Sequence, residues 1–74
     1  MQRIARYSAS DGQKRLDLFE RQDGYFQFVE DTLRSDDHPI EPSMVWIPSI
    51  ESGLYASRDE AEADARATVS WLKG

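Results

Sequence analysis

Two alternating runs, Lys14 to Arg21 (KRLDLFER) and Tyr25 to Leu33 (YFQFVEDTL), are separated only by Gln22-Asp23-Gly24. A period of two sends successive side chains to opposite faces of a strand, and an Asp-Gly pair between such runs marks a hairpin. The centre of the chain must therefore fold back on itself as antiparallel strands. Two registers satisfy the turn. A three-residue loop with Gly24 left-handed sets Leu18 opposite Phe28 and Glu20 opposite Phe26, which collects Leu16, Leu18, Phe26 and Phe28 on one face. A two-residue Asp23-Gly24 turn sets Phe19 opposite Phe28 and Leu18 opposite Val29, leaving both faces partly apolar. The first register is preferred.

The C-terminal part changes period. Ser57-Arg58-Asp59-Glu60 has the S-x-x-E spacing in which Ser57 caps the Glu60 amide and Glu60 reaches back, so a helix is predicted from Arg58 to about Leu72. At 100° per residue, Ala61, Ala65, Thr68, Val69 and Leu72 share an arc of about 100°, wide enough to pack on a sheet. Acids crowd the first two turns and Lys73 follows the last, matching the helix dipole; Glu62 and Arg66 form an i,i+4 pair. The two alanines on the arc allow a close approach, and Trp71 is expected at its edge, covering a rim of the core with its N–H in water.

Between the hairpin and the helix, residues 35–43 (SDDHPIEPS) read as a loop, because His38-Pro39 and Glu41-Pro42 disfavour helix and proline cannot donate to a ladder. Met44-Val45-Trp46-Ile47 then reads as a third strand, which Pro48 confines to an edge position, a bulge or an early end. At the other end, Gln2 to Ser8 (QRIARYS) is placed as an edge strand whose Arg3 and Arg6 discourage sheet-to-sheet aggregation. A second Asp-Gly, at Asp11-Gly12, joins it to Lys14.

The expected architecture is α+β: a three- or four-stranded antiparallel meander with one C-terminal helix packed on one face. Residues 1–74 make one small domain, because 74 residues that are 39% hydrophobic can hold a single core and no spare layer. That core is expected to comprise Leu16, Leu18, Phe26, Phe28, Val45 and Ile47 from the sheet and Ala61, Ala65, Val69 and Leu72 from the helix.

Without cysteine the chain has no disulfide, no thiolate nucleophile and no cysteine-ligated metal, which fits a reducing, cytoplasmic setting. No stretch approaches the roughly 18 apolar residues of a membrane helix, and Met1 to Tyr7 lacks the apolar core of a secretory signal, so no membrane partner is expected. Residues 1–21 carry five bases (Arg3, Arg6, Lys14, Arg15, Arg21) against three acids; the remainder carries four against eleven, and the net charge is −5. An acidic majority repels phosphate backbones, so nucleic acid is an unlikely partner unless the five N-terminal bases align as a stripe.

Catalytic chemistry finds little to use. His38 sits in a proline-flanked loop without a nucleophile elbow, and reads as a solvated loop residue. Asp36, Asp37, His38 and Glu41 offer oxygen and nitrogen donors but match neither a twelve-residue calcium loop nor H-E-x-x-H, which leaves an adventitious ion site as a minor alternative. Glu30-Asp31 are adjacent on a strand, point to opposite faces, and read as solubility. No phosphate-binding glycine pattern is present. The chain is read as non-enzymatic, with no catalytic, metal or cofactor-binding residue and no cofactor.

The preferred register leaves one anomaly. Phe19, Tyr25, Val29 and Leu33 line the sheet face that no second helix covers. Single exposed apolar side chains need no explanation in a folded protein. A contiguous patch, in contrast, marks a surface for a protein partner or a second copy. Phe19, Tyr25, Val29 and Trp46 are the candidate interaction residues, acting through the open face or an edge strand.

Asp23-Gly24-Tyr25-Phe26 opening the second central strand, and Gly53 followed by Ser57-Arg58-Asp59-Glu60-Ala61 opening the helix, resemble HicB-type antitoxin domains over roughly residues 14 to 70. The middle loop is unlike that family's, and no DNA-binding segment follows within the 74 residues. The order of elements is similar also to many short bacterial proteins with a β-sheet and one helix. The HicB resemblance implies neutralisation of a small RNA-cleaving toxin by protein contact, without catalysis.

Overall fold

The computed structural model describes residues 1–36 and 43–72. Four strands, β1 (Gln2–Ser8), β2 (Lys14–Glu20), β3 (Phe26–Asp36) and β4 (Ser43–Glu51), form one antiparallel sheet in the order β1-β2-β3-β4. The helix α1 (Arg58–Thr68) follows, and a short 3-10 turn (Ser70–Leu72) closes the described chain.

Both Asp-Gly pairs make the turns their chemistry favours. Gly24 (φ 86°) and Gly12 (φ 73°) are left-handed, a region that glycine enters without the steric cost borne by other residues. The preceding aspartates act alike: Asp23 Oδ1 accepts from the Tyr25 amide at 3.1 Å and Asp11 Oδ1 from the Gln13 amide at 2.9 Å, each bonding the backbone two residues on. At the central hairpin the Arg21 amide donates to the Tyr25 carbonyl at 2.8 Å and the Gly24 amide to the Arg21 carbonyl at 3.1 Å. This is the three-residue loop, and it sets Leu18 opposite Phe28 and Glu20 opposite Phe26.

The register gathers the core. Leu16, Leu18 and Phe28 from the sheet meet Ala61, Ala65, Val69 and Leu72, all 8% exposed or less. Alanine at two successive turns of the buried stripe lets α1 lie close over β2 and β3, and Tyr7 of β1 reaches it by donating to Glu62 at 3.0 Å. Ser57 caps the helix, its Oγ accepting from the Glu60 amide at 3.2 Å. Tyr55 bridges to Phe26 through two backbone bonds of 2.9 and 2.8 Å, and its ring stacks on Phe28 with centroids 6.0 Å apart.

Several expectations need correction. Val45 and Ile47, placed in the core by pattern, are 39% and 43% exposed. They pair with Arg34 and Thr32, at or beyond the end of β2, whose Lys14 pairs with Thr32; that far along the ribbon neither β2 nor α1 is beside them. Phe26 packs against the core only partly buried. β3 runs on to Asp36 and β4 begins at Ser43, so the middle loop is shorter than residues 35–43; residues 37–42 lie outside the described residues. β4 also continues through Pro48 to Glu51, accommodating it with a register shift opposite Glu30 and Asp31.

The helix ends at Thr68 instead of Leu72, and Thr68 is exposed. Val69 is extended (φ −95°, ψ 105°) while its amide still donates to the Ala65 carbonyl at 2.8 Å. That one extended residue redirects the chain so that Leu72 enters the core and Trp71 reaches the sheet. The Trp71 N–H is not in water: it donates to the Glu30 carboxylate at 2.8 Å.

Candidate interaction surface

The face of the sheet away from α1 is built by the residues that alternate with the core. Cross-strand pairs place Arg6 beside Asp17 and Asp17 beside Val29, Arg3 beside Phe19 and Phe19 beside Gln27, and Arg15 beside Asp31. Opposed residues on antiparallel strands share a face, so apolar and charged groups are interleaved there.

Two ion pairs are formed in place on this face. Arg6 grips Asp17 with two bonds, Nε to Oδ1 at 2.6 Å and Nη2 to Oδ2 at 2.9 Å. Arg15 Nε donates to Asp31 Oδ2 at 3.2 Å, and its guanidinium lies 4.1 Å from the centre of the Trp46 ring. The arginine stems shield both acids, leaving Asp17 4% and Asp31 9% exposed. The Arg6 hydrogen bond holds the Asp17 carboxyl below its usual range against the opposing effect of burial, aided by the charges of Arg6, Arg15 and Arg3. The same bond raises the Arg6 guanidinium.

The five N-terminal bases accordingly do not make a free cationic stripe. Arg6 and Arg15 are bound to Asp17 and Asp31, and Arg21 to Asp23 at 3.1 Å. Glu30 and Asp31 are not solubility residues either. Both are buried, Asp31 against Arg15 on the open face and Glu30, 4% exposed, against Trp71 on the other.

Of the candidate residues, Phe19 and Val29 come together, lining a shallow depression of about 360 Å³ with Asp17, Asp31, Pro48 and Glu51. Trp46 is half-buried and held by Arg15, outside that depression. Tyr25 closes the hairpin loop opposite Arg21, is 46% exposed, and does not line that depression. Asp37, His38 and Glu41 lie outside the described residues. Among the described residues no group of three or more His, Asp or Glu side chains is placed to hold a metal, and no helix is long and apolar enough to cross a membrane.

The pattern-based reading missed the largest exposed apolar group. Met44, Val45 and Ile47 are 54%, 39% and 43% exposed on four consecutive residues of β4. A signal was present: Ser43 to Ile50 (SMVWIPSI) contains no charge in a chain that is 31% charged. An outer strand usually carries charges that discourage further pairing; here that end is served by Pro48 with the register shift beside it, and the strand's one charge, Glu51, stands at its last residue. Compared with protein-family models, with curated proteins and with solved structures, the chain matches none.

Proposed function

We propose that this chain is a non-enzymatic protein-interaction module, working in a reducing, cytoplasmic setting, which engages its partner through the open sheet face and the adjoining edge strand β4. The observation that carries this reading is the exposure of Met44, Val45 and Ile47 at 54%, 39% and 43%. Burying such side chains releases about 25 cal/mol per Å² of apolar surface, and large exposed clusters on small proteins mark contact sites. Phe19, Val29 and Trp46 extend the apolar surface across the open face. The pairing of Arg6, Arg15 and Arg21 with aspartates argues against phosphate as the ligand, since cations already bound to carboxylates release few counterions.

The test is capture from the host's lysate with the tagged full chain, set beside Ile47→Lys and Val29→Lys. Thermal unfolding of each variant establishes that it folds, and the absorbance ratio of the eluate reports nucleic acid. A protein held stoichiometrically by the wild type and lost with either folded variant supports the module. A small RNA-cleaving protein as the captured chain gives the toxin-neutralising form of the same reading. Retention untouched by both substitutions, or nucleic acid that stays after all protein is stripped, overturns it.

A further inference from the structure

The three exposed large apolar side chains of β4 do not share a face. Val45 and Ile47 alternate with Met44 and Trp46 along the strand, so no layer laid on one face covers them all. Something lying along the edge does.

The backbone of that edge is also unpaired. The Leu33 amide donates to the Gln13 carbonyl at 2.8 Å, so odd-numbered residues of β3 bond towards β2. Phe26 exchanges bonds with Tyr55, and the Phe28 carbonyl accepts from the Ser52 amide at 3.0 Å, so even-numbered ones bond the other way. Thr32 and Arg34 thus bond with their partners Ile47 and Val45, and the polar groups of Met44, Trp46 and Pro48 point away from the sheet. Pro48 is tolerated because its missing N–H falls on this outer side. Among the described residues no strand lies beyond β4.

We infer that β4 pairs antiparallel with β4 of a second copy about a two-fold axis at Trp46, joining two four-stranded sheets into one of eight strands. The inference rests on the interaction reading above and names its partner. In this register Trp46 exchanges both backbone bonds with its symmetry mate, and each Met44 amide donates to the other copy's Pro48 carbonyl. Every outward N–H of Met44 and Trp46 is then satisfied. Val45 stands beside the mate's Ile47 on the helix side, and Met44 beside the mate's Pro48 on the open side, so apolar meets apolar on both faces.

The fit of the strand to itself selects the second copy, and charge permits it. Two chains of net charge −5 repel over most of their surface, and Ser43 to Ile50 is a neutral strip along which they can meet. The opposite edge is protected: β1 carries Arg3 and Arg6 and a register shift between Arg3 and Ala5. Pairing therefore closes at two copies instead of propagating. The strip is short, within the class of interfaces below about 1,200 Å² in total, so the dimer is reversible, with a dissociation constant of micromolar order or weaker.

The test uses the full chain, which has no cysteine of its own. Directly opposed residues in a bonded pair sit about 5.5 Å apart, within disulfide range, whereas the two Met44 positions are separated by roughly 13 Å of strand. The expected result is a concentration-dependent rise from monomer to dimer in sedimentation, abolished by Ile47→Lys, with Trp46→Cys forming a covalent dimer under mild oxidation and Met44→Cys forming none. A dimer that ignores Ile47→Lys, or cross-linking at Met44→Cys and not at Trp46→Cys, overturns the register and the edge. A monomer at every concentration overturns self-pairing altogether. That result would not touch the module reading, which the lysate capture decides separately.

Discussion

The Trp71 indole N–H donates to Oε2 of Glu30 at 2.8 Å, while Oε1 of the same carboxylate accepts from the Ser49 hydroxyl at 2.7 Å. One buried acid of β3 therefore ties together the edge strand and the last turn of the described chain. Its position gives a physical reason for the early end of α1: a helix continued through Val69 would carry Trp71 away from the sheet, whereas one extended residue delivers it to Glu30.

Removing that acceptor should be costly. Glu30→Ala removes the acceptor of the Trp71 N–H and one of the acceptors of the Ser49 hydroxyl, which keeps the residue-30 backbone carbonyl at 3.1 Å; the stranded indole donor costs about 1–3 kcal/mol. Glu30→Gln keeps a carbonyl oxygen for one of the two donors and should lose less. Urea unfolding of the two variants checks this; equal losses would contradict the bridging role.

Asp17 should give the fold an acid-sensitive limb. Its native carboxyl titrates below the ordinary value because of Arg6, so the unfolded chain binds this proton more readily than the native one. The stabilisation is present at neutral pH and is lost as pH falls through about 4 towards the depressed native value. Unfolding free energy measured from neutral to acid pH should fall in the wild type and flatten in Asp17→Asn. An unchanged slope would remove Asp17 as a cause.

At the alkaline end the relevant group is Tyr55. Burial, with the hydrogen bond and charge of Asp64, raises its phenol to about 12. Here the native state holds the proton more tightly, so stability is present below about 10 and declines as pH rises towards 12. Phenolate absorbance should show a late-titrating tyrosine that disappears in Tyr55→Phe. Uniform ionisation near 10 would contradict it.

The glycines separate backbone strain from crowding. A Cβ at Gly24 or Gly53 meets nothing within 4 Å, but only Gly24, at φ 86°, is left-handed. Gly24→Ala should cost about 1 kcal/mol through the left-handed backbone alone, and Gly53→Ala should stay within about 0.5 kcal/mol. Matching denaturation midpoints would show that the hairpin relaxes around the substitution.

The hairpin, its register and the helix start were legible because each is decided locally: Gly24 by a turn, Leu18 and Phe28 by alternation, Ser57 by a cap. What escaped depends on the reach of distant elements. Val45 and Ile47 have the pattern of core residues, and only the end of β2 and the position of α1 leave them bare. Asp17 looks like an outward acid in a strand, yet Arg6 reaches across from β1 and bonds it twice. Trp71 reads as a rim residue until the break at Val69 is known. The open-face pair Phe19 and Val29 followed from register, whereas the outward backbone of β4 required the full strand order.

The most direct measurement is residue-by-residue amide exchange across β4. In dilute solution Val45 and Ile47, bonded to β3, should be protected while Met44 and Trp46 exchange freely. On raising the concentration, or adding a captured partner, protection should appear at Met44 and Trp46 and leave Val45 and Ile47 little changed. Association that proceeds with Met44 and Trp46 still exchanging freely would contradict the account and place the working surface elsewhere on the molecule.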